Sequence, residues 1–433
     1  MVFRTVLVDF EVLYVLVFTM VQVVAAPKMA TSRGILLMEG KVFMKVCVNP
    51  HRKGVAGSFS TEGRDVCRFH AALPGYEPTP LRSFPSLADI CGVGCLLVKD
   101  EGKRFGLKAF KALGASYAVY RVLRKMSGDT LKPDEFLAEK GRSLADGITF
   151  VCATDGNHGR AVAWIARLLG RPALIFMPEG SAEARIRAIE SEGATVVVVT
   201  GGYDEAVRCA AGEGERKSCF VVADTGYPGY MEIPRYIQEG YLTMFQETVL
   251  QLKAEGETHP DSIFLQAGVG AFASAAALFF RDPLQGPRLV SVEPMAANCL
   301  FASAAAPNGA PRTVMSGEGT IMAGLNCETP SHSAWPLIRD RFDAFVSIED
   351  RYAAEAMKML AREGVVAGES GAAGLAALLA LREENPHFLA RELGIDETAC
   401  VLLINTEADT DPEGYYYIVR TTAGEVETPR KDY

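Results

Sequence analysis

The stretch R-F-G-L-K-A-F-K-A-L-G-A-S-Y, residues 104–117, decides how the chain is read. Phe110 sets Lys111 beside apolar side chains, and Gly114 lets the backbone pass close to a bulky neighbour. Burial disfavours a charged amine and lowers its pKa. A neutral amine forms Schiff bases with aldehydes and can later carry a proton. The alternative is a lysine near a helix start that lays its methylenes on apolar surface and reaches for solvent. The choice rests on the rest of the chain.

Just upstream, C-L-L-V-K at 95–99 reads as a short buried strand. Before it, Y-E-P-T-P-L at 76–81 is a proline-stiffened extended segment that cannot be helical before either proline. Residues 30–68 show no clear periodicity and read as lead-in. Residues 12–26 are almost wholly apolar and precede Pro27 and Lys28. They suit a secretory signal or anchor, with Arg4 as a thin positive region, or an extension lying outside the core. Asp9 and Glu11 sit where a signal carries positive charge, and the run is short for a membrane span.

Downstream, apolar strands at 148–153, 173–177, 195–199 and 219–223 alternate with helical patterns at 117–125, 159–169, 182–192 and 204–211. Near-continuous apolar strands separated by helices mean a parallel sheet covered on both faces. A second series follows, with strands at 263–266, 289–293, 344–348 and 400–404. Its helices are expected at 236–253, 272–280, 353–361 and 372–381, with an irregular Gly/Ala/Ser-rich run reaching about residue 329. The fold class is therefore α/β in two lobes, each a mainly parallel sheet flanked by helices. Ligands are expected in the crevice at the carboxyl ends of the strands.

Composition agrees. The 433 residues, 49% hydrophobic and 22% charged, are those of a globular chain with a large core. A net charge of −9 argues against general affinity for nucleic acid or anionic membranes. Ten cysteines without a C-x-x-C pair and six dispersed histidines point to reduced thiols in a cytosol-like compartment and to no structural metal.

Four short motifs fall at strand ends. T-D-G-N-H-G at 154–159 opens a helix, where free N–H groups and the helix dipole suit anionic or polar atoms. Within it Asn157 can donate to a phenolate-type oxygen, and Asp155 is either a helix cap or an acid/base group. Q-A-G-V-G-A at 266–271 lets backbone N–H groups converge on a phosphate, or is simply a helix-start turn. A-D-T-G-Y-P-G-Y at 223–230 puts Asp224 at a strand end, as a cleft residue or as turn chemistry. N-T-E-A-D-T-D-P at 405–412 follows the last strand. Asn405 and Thr406 can each bond a ring nitrogen, and the acids default to a solvated loop, with no EF-hand glycine. Together these supply the groups for holding pyridoxal phosphate.

These motifs together resemble the diaminopropionate ammonia-lyase branch of the fold type II, tryptophan-synthase β-like pyridoxal-phosphate enzymes. The resemblance runs from about residue 69 to about 419. T-I-M-A-G-L at 320–325 and G-E-S-G at 368–371 also match. It implies a large cofactor domain from 69–116 plus 227–433, a small domain at 117–226, and an N-terminal extension at 1–68. By the same likeness Lys111 carries the cofactor, Asn157 bonds its O3′, and Gly268, Val269, Gly270 and Ala271 hold its phosphate. Thr406, or else Asn405, faces the pyridine nitrogen. Lys111 and Asp155 serve as bases toward opposite Cα configurations, and Asp224 lies near the substrate amine.

The implied activity is α,β-elimination of D- and L-2,3-diaminopropionate to pyruvate and two ammonia, in a cytoplasmic homodimer. Lys108, Ala271, Asn405 and Ala408 depart from the family pattern, the first two bearing on cofactor affinity and the last two on the ring-nitrogen contact. Three other readings stand beside this one: a serine or threonine dehydratase of the same fold, a non-catalytic protein keeping the fold, and a nucleotide-dependent oxidoreductase. The acid at Asp155 disfavours the first, Lys111 the second, and the missing third glycine the last.

Overall fold

The computed structural model describes residues 30–32, 35–37, 43–53, 62–216, 218–256, 259–280, 286–315 and 319–420. The apolar segment 12–26 lies outside them. No helix among the described residues is long and apolar enough to cross a membrane.

Two sheets organise the chain. The larger has nine strands in the order β1-β2-β3-β12-β11-β10-β13-β5-β4. These are β1 (Ala30–Ser32), β2 (Ile35–Leu37), β3 (Met44–Val48), β4 (Leu81–Ser83), β5 (Cys95–Asp100), β10 (Ser262–Gln266), β11 (Arg288–Pro294), β12 (Ala344–Ile348) and β13 (Cys400–Asn405). The smaller runs β8-β7-β6-β9, from β6 (Thr149–Ala153), β7 (Ala173–Pro178), β8 (Thr195–Val199) and β9 (Cys219–Val221). All four strands of the small sheet pair in parallel, as do β12, β11, β10, β13 and β5 of the large one. The two α/β lobes expected from the alternation are present.

The residue types explain this arrangement. S-I-F-L-Q in β10 and A-F-V-S-I in β12 are buried at every position, as strands covered on both faces must be. Successive side chains alternate between two cores. Ile263, Leu265, Leu402 and Ile404 join one that also holds Phe150 and Ile175 of the small lobe. Phe264, Val401 and Leu403 point into the other, beneath Leu375 and Leu378. Burying each large apolar side chain is worth roughly 1.5–3 kcal/mol, so the shared first core ties the lobes together.

Three features differ from the sequence reading. Residues 30–48, read as lead-in, contribute β1, β2 and β3, of which β3 adds antiparallel to β12. Such short edge strands gain their order from pairing and carry little periodicity of their own. The helix expected over 236–253 is two, Glu232–Gly240 and Leu242–Ala254. At the break, Gly240 packs so closely that a Cβ there would stand 2.5 Å from the Leu113 carbonyl oxygen. The irregular run before 329 contains the helix Cys299–Ala305.

Strand order places the motifs. The segments after β5, β6, β9, β10 and β13 all leave the carboxyl ends of their strands and converge where the lobes meet.

Candidate active site

Lys111 is the first residue of the helix Lys111–Met126. Its Nζ donates to Asp224 Oδ2 at 2.6 Å, and its side chain is only 22% exposed. Asp224 comes from the segment after β9, so the contact joins the lysine's helix to the small sheet's strand end. The protonation differs from the sequence expectation. Burial pushes the amine down, but the Asp224 carboxylate, with Tyr241 and Asp155 behind it, outweighs burial and holds Lys111 above the usual lysine value. Asp224 responds in mirror image. Burial works to raise it, and Lys111 and His158 together hold it well below the usual carboxylate range. A buried lysine facing a buried carboxylate keeps its proton.

Asp155 behaves oppositely. Capping of the helix Asn157–Leu169 falls to Thr154, whose Oγ1 accepts from the backbone N–H of Gly156 (2.9 Å) and Gly159 (3.0 Å). The cap reading of Asp155 therefore gives way, and its carboxyl is left to the cleft. Burial raises its pKa, Asp224 and Glu407 add to that, and Arg185 and Lys111 draw it partly back. The two carboxyls of this cleft are thus pushed in opposite directions, Asp155 up and Asp224 down.

Asn157, at the head of the same helix, donates from Nδ2 to Glu407 Oε2. On the opposite wall Gln266 donates from Nε2 to Thr406 Oγ1 at 3.0 Å and to the Ile404 carbonyl at 2.8 Å. Asn405 turns the other way, donating to Asp100 Oδ1 (2.8 Å) and the Val366 carbonyl (2.9 Å). The strand's alternation thus sends the two candidate ring partners to opposite sides, and Thr406 is the one beside Gln266.

The turn Gly268-Val269-Gly270-Ala271 leads into the helix Ala271–Phe279, with Gly270 at φ +96°, a left-handed conformation that suits glycine. A Cβ on Gly268 would lie 2.7 Å from Cys327 Sγ, so glycine is needed there as well. The first-turn N–H groups of such a helix have no intrahelical acceptor and favour an anion.

Lys108 takes φ +62°, a conformation asparagine adopts far more readily, and is held by an ion pair with Asp409 at 2.8 Å. Glu407, expected in a solvated loop, is 2% exposed, because its segment folds back beneath residues 108–110. Beside it, burial, with Glu407 adding to it, pushes Glu369 up to about 7.

Sequence reasoning missed several groups. Arg185, from the helix Glu183–Glu190, lies against Gly156 and in the field of Glu407, Asp155, Glu369 and Asp411. Tyr203, which opens the helix Tyr203–Glu213, sits near Asp224, Cys327 and Asp155, and burial raises its pKa. Tyr241 rests its ring on Gly114 and 4.7 Å from Phe110. None carries a local signature; the fold brings them in. A cavity of about 130 Å³ opens at the mouth, lined by Lys108, Asn157, Arg160, Arg185, Asp409 and Thr410.

The cleft fits a polar, anionic cofactor. Gln266 Oε1, Ser370 Oγ, Tyr241 Oη and Thr225 Oγ1 are buried there or directly behind it without a protein partner. Unpaired buried polar atoms are costly and mark places where a ligand completes the hydrogen bonding. A lysine amine, an anion-binding turn and a ring of polar side chains in a two-lobed α/β cleft define a pyridoxal-phosphate enzyme of fold type II.

The comparisons agree. The family model described as "Pyridoxal-phosphate dependent enzyme" matches residues 72–389. A diaminopropionate ammonia-lyase from Salmonella typhimurium is 41% identical over 370 residues, covering 82% of this chain and 91% of the relative. The crystal structure of the Escherichia coli diaminopropionate ammonia-lyase in complex with D-serine superposes with a TM-score of 0.80 at 36% identity, covering 88% of this chain and 98% of the other. The same enzyme in complex with an aminoacrylate–cofactor reaction intermediate gives 0.79 at 36% identity, again covering 88% and 98%. The chain belongs to the pyridoxal-phosphate dependent enzymes and, within them, to the diaminopropionate ammonia-lyase family.

Proposed function

We propose that the chain converts both D- and L-2,3-diaminopropionate, with one water, to pyruvate and two ammonia. The observation that carries this reading is the pairing of a Lys111–Asp224 couple with a second, uncapped carboxyl at Asp155 in one cleft. Two separate proton acceptors let either configuration at Cα be deprotonated.

Lys111 would carry the cofactor, with Asn157 on its phenolic oxygen, Gly268 to Ala271 on its phosphate and Thr406 on its ring nitrogen. When bound, the cofactor supplies an electron sink that acidifies the substrate's Cα–H. Everything else falls to the chain's own side chains. Lys111, once its amine is neutral, takes the Cα proton on one face, and Asp155 takes it on the other, that of the D-isomer. Asp224 stays a carboxylate beside Lys111 and steadies the ammonium that forms when the lysine takes up a proton. The carboxyls of Asp155 and Asp224 also give a cationic diamino substrate counter-charges that a hydroxy amino acid would leave unmatched. Burial of the cleft strengthens each of these interactions and limits competing proton exchange.

The remaining parts of the reading have separate support. The division into a large domain (69–116 plus 227–433) and a small one (117–226) is supported by the two sheets, except that β1 to β3 from residues 30–48 join the large one. A cytoplasmic location accords with the scattered cysteines, and a homodimer is carried by the family likeness. The test is pyruvate release by the purified protein with added pyridoxal phosphate, on both diaminopropionate isomers beside L-serine and L-threonine. Turnover of both isomers well above the hydroxy amino acids is expected. A preference for serine or threonine would make the chain a dehydratase.

A further inference from the structure

We propose that Glu407 is a positioning residue that clamps Asn157 across the lobe boundary and so fixes the amide presented to the cofactor. The inference rests on the reading above in one respect, the assignment of Asn157 to the cofactor's phenolic oxygen.

Glu407 belongs to the large-lobe segment that follows β13. Its backbone is stitched to the residues just before Lys111. Phe110 N–H donates to the Thr406 carbonyl at 3.2 Å, Ala408 N–H donates to the Lys108 carbonyl at 2.8 Å, and Ala109 and Glu407 form an antiparallel bridge. From the other side Gly368 N–H donates to the Glu407 carbonyl at 2.9 Å. Two glycines make room for this strand. A Cβ on Gly368 would stand 3.1 Å from Glu407 Cγ, and one on Gly371 would stand 2.5 Å from the Glu407 carbonyl oxygen. The backbone therefore fixes where the carboxylate is.

Every hydrogen bond the carboxylate makes comes from a donor. Oε1 accepts from Ser370 N–H at 3.2 Å, and Oε2 accepts from Thr410 Oγ1 at 3.2 Å and from Asn157 Nδ2. Ser370 and Thr410 are large-lobe neighbours, whereas Asn157 heads a helix of the small lobe. A carboxylate offers no donor, so Asn157 must turn its NH₂ group, never its carbonyl, toward Glu407. One N–H is spent there, and the second remains for an oxygen acceptor in the cleft. The other amide orientation would set an acceptor against Oε2 and offer a carbonyl to the phenolic oxygen. Glu407 thereby does for Asn157 what an outer carboxylate does for a metal-ligating histidine: it selects one orientation of an ambiguous side chain.

The substitution Glu407→Gln sets an NH₂ group among these donors, and Glu407→Asp keeps the charge but falls short of Asn157 by one methylene. Each variant is combined with Asn157→Ala. Pyridoxal phosphate affinity is read by titrating the visible band of the bound cofactor, and thermal stability is read alongside. Either Glu407 variant is expected to weaken binding by roughly 10-fold when Asn157 is present and by less than about 2-fold when residue 157 is alanine, the non-additivity of groups that act through one another. Equal losses in the two backgrounds would overturn the proposal and leave Glu407 a loop anchor. No loss from Asn157→Ala alone would instead sink the assignment of Asn157 on which the proposal stands. Should Glu407→Gln fail to fold, the aspartate variant carries the same comparison.

Discussion

Lys111 Nζ stands 2.6 Å from Asp224 Oδ2, and each group holds the other ionised in a place where burial alone would discharge both. On the proposed reading the couple makes Asp224 the counter-charge of the lysine's ammonium, whichever substrate isomer is bound. Asp224→Asn is therefore expected to lower turnover of D- and L-diaminopropionate alike, by roughly 10²- to 10⁴-fold. Pyruvate release on each isomer measures this. A loss confined to one isomer would show that Asp224 serves one face of the substrate only.

Arg185 gives a pH test. Burial raises the pKa of Asp155, and the Arg185 guanidinium pulls it back down more than any other neighbour. As a base Asp155 must be ionised, so activity on the isomer it serves falls as pH drops through that raised value. Arg185→Met removes the cation, lifts the value further and moves the acid limb of kcat/KM for the D-isomer to higher pH. The L-isomer limb, governed elsewhere, stays in place. Profiles of kcat/KM report the free enzyme's groups and so read this shift directly. A shift in the opposite direction would contradict the assignment.

The turn that delivers Lys111 is held by buried charge. Glu247 accepts from Lys99 (2.8 Å) and from Arg104 Nη1 and Nη2 (both 2.8 Å), and Glu101 pairs with Arg104 at 2.7 Å. Glu247→Gln strips two enclosed cations of their shared partner, which costs about 3–5 kcal/mol at such sites. Chemical unfolding at neutral pH should show it. The carboxyl of Glu247 is raised by burial but held below its ordinary value by Arg104 and Lys99. A group depressed in the folded state stabilises above its unfolded pKa, so this contribution is complete at neutral pH and fades as pH falls. In the variant that part of the acid sensitivity disappears.

Much of this was legible in the chain itself. The strands at 148–153, 173–177 and 344–348 announce themselves because fully covered strands are apolar at nearly every position. The motifs around Asn157, Gly268 and Thr406 stand at strand ends, and parallel topology gathers such ends into one crevice. What was not legible depends on partners distant in sequence. Glu407 reads as part of a solvated acidic loop, since nothing nearby in sequence foretells its bridge to Ala109. Arg185 and Tyr203 sit on ordinary helices, and their direction follows from how the small lobe docks. Burial alone points to a neutral Lys111, whereas the group that decides its charge, Asp224, lies 113 residues away. The short strands β1 to β3 extend the sheet outward from β12, each set by pairing with the next, and leave too little periodicity to see.

The central claim is that one cleft holds separate bases for the two faces of the substrate. It is tested most directly by kcat/KM for D- and L-diaminopropionate in the wild type and in Asp155→Asn, measured by pyruvate release. The expected result is a loss of roughly 10²- to 10⁴-fold on the D-isomer with the L-isomer changed by far less. Equal losses on both isomers, or a loss on the L-isomer alone, would contradict the two-base account.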